Sequence, residues 1–163
     1  MKTLINVVLF IAVSLSHESV FSQSLGLSDL LKLNSLNEDD FDTFITLKGF
    51  KYDGFEEKDE AKLKSYVFYV NGIKTSYITK ITYTSRPQEM ISFQTPNSTT
   101  YLNIKGDIKK LGFIYVKTET YEQTTFMYYK KNNNELSLAS STDESRPIGT
   151  TRTLYEISIT NTN

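Results

Sequence analysis

The chain has 163 residues, with 18 Lys and Arg against 19 Asp and Glu, a net charge of −1. It holds no cysteine and one histidine, His17. These totals exclude a disulfide framework, a thiolate nucleophile and a Cys/His zinc site, and they supply no basic stripe for nucleic acid.

Met1-Lys2-Thr3 precedes an apolar run from Leu4 to Leu15, broken only by Asn6 and Ser14. About a dozen residues is too short to cross a bilayer core, which needs roughly 20. The run matches the apolar region of a secretory signal, with Lys2 as its positive start. His17 to Ser22 is more polar, and Val20 and Ser22 are small enough for signal-peptidase pockets. Cleavage is expected between Ser22 and Gln23. Residues 1–22 then form a signal peptide, and 23–163 form a single exported domain long enough to bury a core. The exported part has no membrane span, and its expected location is the periplasm or the medium. His17 leaves with the signal, so no imidazole remains for a serine triad.

Ser28, ahead of Asp29-Leu30-Leu31, predicts the N-cap of a short first helix. A second helix is expected over about Glu38 to Lys48, capped by Asn37. Glu38, Asp39 and Asp40 sit where the helix dipole favours negative charge. Phe41, Phe44, Ile45 and Lys48 follow helical spacing, and Gly49 suits the terminating position. Asp53 to Glu60 reads as an exposed acidic linker.

The period then changes to two. Leu63 to Val70 predicts a strand, Asn71-Gly72 a hairpin turn, and Lys74 to Thr84 the return strand. Tyr77, Thr79, Ile81 and Tyr83 share one face of the return strand, and Ser76, Ile78, Lys80 and Thr82 share the other. Arg86-Pro87-Gln88 makes a turn, and Met90 to Thr95 a third strand that Pro96 ends. Asn97, Ser98 or Thr99 caps another helix, with apolar Tyr101, Ile104, Ile108 and Leu111, stopped by Gly112. Strands are expected at about Thr124–Lys130, Glu135–Ser141 and Thr151–Thr160. The first two are joined by Asn132-Asn133-Asn134 and the last two by a loop with Arg146-Pro147.

Several landmarks recur in order about 60 residues further on. Leu47-Lys48-Gly49-Phe50 matches Lys110-Leu111-Gly112-Phe113, and Tyr66 to Tyr69 matches Phe126 to Tyr129. Asn71-Gly72 matches Asn132-Asn133, and Arg86-Pro87 matches Arg146-Pro147. The expected fold class is therefore α+β. Two tandem repeats, about 28–96 and 97–160, each put a short helix before an antiparallel meander, with the helices on one sheet face. This order and repeat length resemble the β-lactamase-inhibitor-protein-like architecture over about residues 28 to 160. The resemblance implies two repeats of helix plus antiparallel sheet and brings no site residue with it. Known inhibitors of that kind carry disulfides, which this chain lacks. The Lys, Asn, Ile, Thr and Tyr bias, with the Phe21-Ser22-Gln23 ending, resembles exported proteins of Bacteroidota. A single curved sheet wrapped on one helix, as in cystatin-like folds, is the alternative.

Little catalytic chemistry is left. The run Glu38-Asp39-Asp40-Phe41-Asp42 lacks the glycine and spaced carboxylates of a calcium loop and reads as a solvated helix start. Glu56-Glu57-Lys58-Asp59-Glu60 reads as exposed linker. Glu89, Glu122, Glu135 and Glu156 lie on or near strands, but a glycosidase needs two carboxylates facing across a cleft. Ser98, Ser137 or Ser158 would need a buried lysine as base. The sequence points to no metal and no cofactor.

The positive feature is aromatic content: 11 Tyr and 10 Phe with no Trp. Tyrosine offers large contact area at low entropic cost. The expectation is an exported, non-catalytic module that binds another exported or envelope protein through an aromatic-rich sheet face. Tyr66, Tyr69, Tyr77, Tyr128 and Tyr129 are its candidate contacts. The alternatives are an envelope structural or accessory component and a small-ligand or glycan carrier.

Overall fold

The structure, a computed structural model, describes residues 25–143 and 152–161. The expected signal peptide, its cleavage site and Arg146-Pro147 lie outside these residues. The fold is α+β, and the described residues form three helices and one eight-stranded antiparallel sheet. The elements run α1 (Leu27–Ser35), α2 (Glu38–Leu47), β1 (Lys51–Lys58), β2 (Ala61–Val70), β3 (Ile73–Tyr83), β4 (Glu89–Thr95), α3 (Ser98–Lys110), β5 (Ile114–Tyr121), β6 (Thr124–Lys131), β7 (Asn134–Asp143) and β8 (Arg152–Asn161). None of the described helices is long and apolar enough to cross a membrane.

Strand order is β1-β2-β3-β4-β8-β7-β6-β5. Two four-stranded meanders therefore meet where β4 pairs with β8. The sheet is continuous, as in the single-sheet alternative, but three helices accompany it. The acidic stretch expected as a linker is mostly β1, and a matching strand, β5, precedes β6. Both sit at the sheet edges, where a charged and fully exposed strand is stable because only one side needs pairing. Composition hid them: the outer side of an edge strand needs no apolar alternation.

Local rules account for the helices. α1 starts one residue before Ser28. Its N-cap is Gly26, whose N–H donates to the Asp29 carboxylate at 3.1 Å. Asn37 caps α2 by accepting from the Asp40 N–H at 2.9 Å, and Asn97 caps α3 by accepting from the Thr100 N–H at 3.1 Å. α2 and α3 end alike. Gly49 and Gly112 adopt φ of 86° and 80°. Phe50 N–H then reaches back to the Ile45 carbonyl, and Phe113 N–H to the Ile108 carbonyl. This is the Schellman arrangement, with the following Phe dropped into the core.

Register decides which side chains are buried. Tyr66, Ile78, Phe93, Ile157, Leu138 and Met127 form one row across the sheet, and Lys80, Ile91, Ile159, Leu136 and Tyr129 the next. Both rows face the helices. Leu27, Leu30 and Leu33 of α1, Phe41 and Ile45 of α2, and Tyr101, Ile104 and Ile108 of α3 pack on them. The face of β3 that enters this core is Ser76, Ile78, Lys80, Thr82. The more apolar face, Tyr77, Thr79, Ile81 and Tyr83, points away from the helices.

Tyr66 is 2% exposed, and its ring lies 5.6 Å from that of Phe41. Tyr128 is half-buried on the opposite face. Tyr66→Ser should cost about 3–5 kcal/mol of unfolding free energy, the range for emptying an aromatic core site. Tyr128→Ser should cost less than half as much. Urea denaturation of the two variants measures both.

Candidate functional site

The face away from the helices carries no helix among the described residues. Uniform register sets its side chains in rows. Val67, Tyr77, Gln94, Glu156, Ala139 and Phe126 stand side by side on β2, β3, β4, β8, β7 and β6. Beside them run Ser65, Thr79, Ser92, Ser158, Ser137 and Tyr128, and beyond these Leu63, Ile81, Met90, Thr160 and Glu135. A hydroxyl row thus lies between an apolar-aromatic row and a mixed one. Apart from buried Val67, Ser92 and Ala139, and exposed Glu135, these side chains are half-buried.

Glu156 stands at the middle of this face. Its Oε1 accepts from Ser92 Oγ at 2.8 Å and Ser158 Oγ at 3.1 Å, and its Oε2 accepts from Gln94 Nε2 at 3.2 Å. Period two on β4 and β8 places all four groups on one face, and the β4–β8 pairing brings them together. Glu156 joins no ion pair among the described residues. Other carboxylates on strands have cations: Glu89 has Lys80 at 3.2 Å, Glu119 has Lys117 at 2.7 Å and Glu135 has Lys130 at 3.1 Å. The centre of the face therefore presents a fixed, negatively charged hydrogen-bond acceptor, with Gln94 and Ala139 beside it in its row and Tyr77 and Phe126 one strand further out.

The five candidate tyrosines divide between the two faces. Tyr69, Tyr77 and Tyr128 lie on the open face. The Lys51 ammonium sits 5.6 Å from the Tyr69 ring centre, the Lys117 ammonium 5.0 Å from that of Tyr128, and Phe126 stacks 6.4 Å from Tyr128. Tyr66 and Tyr129 face the helices. Tyr66 is core, and Tyr129 packs on the core edge beside Tyr115, with rings 5.8 Å apart. Alternation forces this division, because residues three apart, or adjacent, on a strand point to opposite sides.

No family model, curated protein or solved structure matches the chain.

Other chemistry suggested by the sequence is dispersed. Lys80 is buried, with its ammonium donating to the Leu36 carbonyl at 2.8 Å, but it faces the helices. Ser137 and Ser158 are on the opposite face and Ser98 is exposed at the start of α3, so no Ser–Lys pair is assembled. Glu122 sits in the β5–β6 turn. No group of three His, Cys, Asp or Glu among the described residues could hold a metal. Glu38, Asp39 and Asp40 are exposed at the start of α2. Several clefts open on the helix side, a larger and a smaller one of them along the β3–β4 end of the sheet. One of about 440 Å³ lies at the end of α1 between Asn34, Arg86 and Gln88, and one of about 320 Å³ lies between Glu38, Phe55 and Lys62.

Beside the smaller cleft, Asp42 of α2 accepts from Lys64 Nζ at 2.6 Å and from the Tyr66 hydroxyl. Burial alone raises the Asp42 carboxyl. The hydrogen bonds from Lys64 and Tyr66, with the charges of Lys64 and Lys80, outweigh it and hold the group below its ordinary 3.8. Burial alone lowers the Lys64 ammonium, but bonding to Asp42 lifts it above 10.5. Burial, and then the Asp42 carboxylate, push the Tyr66 hydroxyl far above 10.0.

The signs of these shifts define a pH window. The depressed Asp42 stabilises the fold above its unfolded value, and that stabilisation is lost as pH falls through the folded value. The raised Lys64 and Tyr66 stabilise fully below their unfolded values and lose this as pH rises. The melting temperature should therefore fall below about pH 4 and above about pH 10, and Asp42→Asn should flatten both limbs. Thermal melts by circular dichroism across that range measure it.

Proposed function

We propose that the protein is an exported, non-catalytic binding module whose open sheet face holds another protein through a basic side chain. The carrying observation is Glu156: a hydrogen-bonded carboxylate with no cation among the described residues, at the centre of a face that carries Tyr77 and Phe126 two strands away on either side. A partner Arg or Lys there gains a charge-assisted bond, while apolar groups around it reach the rings of Tyr77 and Phe126 further along the row. The mixture of aromatic and hydroxyl rows suits a protein surface, which offers both apolar and polar groups. Export rests on the apolar run and small-residue site at the N-terminus.

We also propose that the two halves descend from a duplicated unit, in the manner of the β-lactamase-inhibitor-like plan. Three paired details support this: the Schellman ends at Gly49-Phe50 and Gly112-Phe113, the positive φ of Asn71 and Asn132, and register shifts between Tyr52 and Gly54 and between Tyr115 and Lys117.

The test immobilises the purified protein and passes envelope extract and medium of the source organism over it. One protein should be retained near stoichiometrically. Glu156→Gln should weaken retention at least tenfold, since breaking a desolvated charge pair costs about 2–5 kcal/mol. Glu135→Gln, at a paired and exposed position, should leave it unchanged. Undiminished retention by both Glu156→Gln and Tyr77→Ser would place binding elsewhere.

A further inference from the structure

The two edge strands differ in how they are guarded. β1 carries Asp53, Glu56, Glu57 and Lys58 and a register shift at Asp53, where Gly54 follows at φ 155°. A two-fold antiparallel pairing of β1 centred on Phe55 opposes Asp53 to Glu57, and one centred on Glu56 opposes that residue to itself. Like charges directly opposite are unfavourable, so β1 resists self-pairing. β5, at the other edge, carries the matching register shift between Tyr115 and Lys117, and both edges expose apolar groups, Tyr52 and Phe55 on β1 and Ile114, Val116 and Tyr121 on β5. What distinguishes β5 is its regular segment from Lys117 to Tyr121, exposed along its whole length, in which charges of opposite sign stand two residues apart.

The geometry of β5 selects a partner. A two-residue turn at Glu122-Gln123 joins β5 to β6, which makes Tyr121 and Thr124 the hydrogen-bonded pair closing the hairpin. Alternation then turns the N–H and C=O of Glu119 and Lys117 toward β6 and those of Thr118 and Thr120 outward. A second β5, running antiparallel about a two-fold axis, accepts this edge in few registers. Centring on Lys117 opposes two ammonium groups, and centring on Glu119 opposes two carboxylates. Centring on Thr118 sets Lys117 of each copy opposite Glu119 of the other, twice, on the same sheet face. It also pairs Thr118 with itself, a favourable cross-strand pair. Ile114, beyond the register shift, then lies at the end of the paired segment on the same sheet face as Tyr121 of the second copy.

We propose that two copies of this chain pair through β5, centred on Thr118, into one sixteen-stranded sheet. The Lys117–Glu119 contact within each copy is exchanged for two contacts between copies, so charge sets the register while backbone bonds and apolar cover supply the affinity. The pairing lies at the sheet edge, three strands from β8, and leaves the Glu156 face free. It stands independently of the binding role proposed for that face.

Sedimentation equilibrium of the whole protein tests the proposal. The wild type should dimerise reversibly, with a dissociation constant at about micromolar to hundreds of micromolar, as befits a small interface. Thr118→Pro removes an outward N–H, a loss that edge strands tolerate, so the chain should stay folded by circular dichroism yet be monomeric. Lys117→Glu and Glu119→Lys should each weaken self-association at least tenfold. Mixed together, those two variants should associate at least as tightly as the wild type, because every opposed pair is then of opposite sign. A wild type that remains monomeric at about one millimolar overturns the proposal. So does dimerisation that survives Thr118→Pro in a folded chain, or a mixture of the two charge variants that fails to associate.

Discussion

The pairing of β4 with β8 is the constraint on which the rest of the structure depends. It joins a strand ending the first meander to one ending the second, with Phe93 opposite Ile157 and Ile91 opposite Ile159. These four side chains, each no more than 2% exposed, form the centre of the floor on which the helices pack. The same ladder sets Ser92 and Gln94 against Glu156 on the other side. One register thus builds the core below and the polar cluster above. A slip of one residue would exchange the two faces, setting Glu156 and Ser158 against leucines and exposing Ile157 and Ile159.

Much of the fold was legible because local chemistry announced it. The caps at Asn37 and Asn97, the Gly-Phe helix ends and the Asn71-Gly72 turn stand where backbone physics requires those residue types. Strand faces also followed from alternation: Ile91 with Phe93, Leu136 with Leu138, and Tyr155 with Ile157 and Ile159. What alternation cannot say is which face is inward. On β3 the face with Ser76, Lys80 and Thr82 lies under the helices, since Lys80 finds the Leu36 carbonyl and the Glu89 carboxylate there. Hydrophobicity alone favours the other face. The edge strands were illegible for a related reason, because β1 and β5 bury little and so carry no apolar stripe.

The candidate site was legible in parts. Tyr69, Tyr77 and Tyr128 are on the open face, whereas Tyr66 and Tyr129 belong to the helix side. Glu156 was visible as a strand carboxylate with Ser158 beside it, but its other two donors, Ser92 and Gln94, come from a strand more than 60 residues earlier in sequence. Nothing local signals that meeting. The signal that existed was weaker: Ser and Gln two apart on one strand, and Glu and Ser two apart on another, each pair interleaved with core-facing Ile and aromatic residues.

The position of β8 also bears on the order in which the chain assembles. Central in the sheet, it follows every other described strand in sequence. Until it emerges, β4 and β7 each present an open edge, and the two meanders have no common floor. For a chain made from its N-terminus, the first meander must wait, incomplete, through the synthesis of the second. Contacts this distant in sequence close slowly and expose strand edges meanwhile. Any fragment ending before Arg152 would be held in that state permanently, a natural substrate for proteases and chaperones.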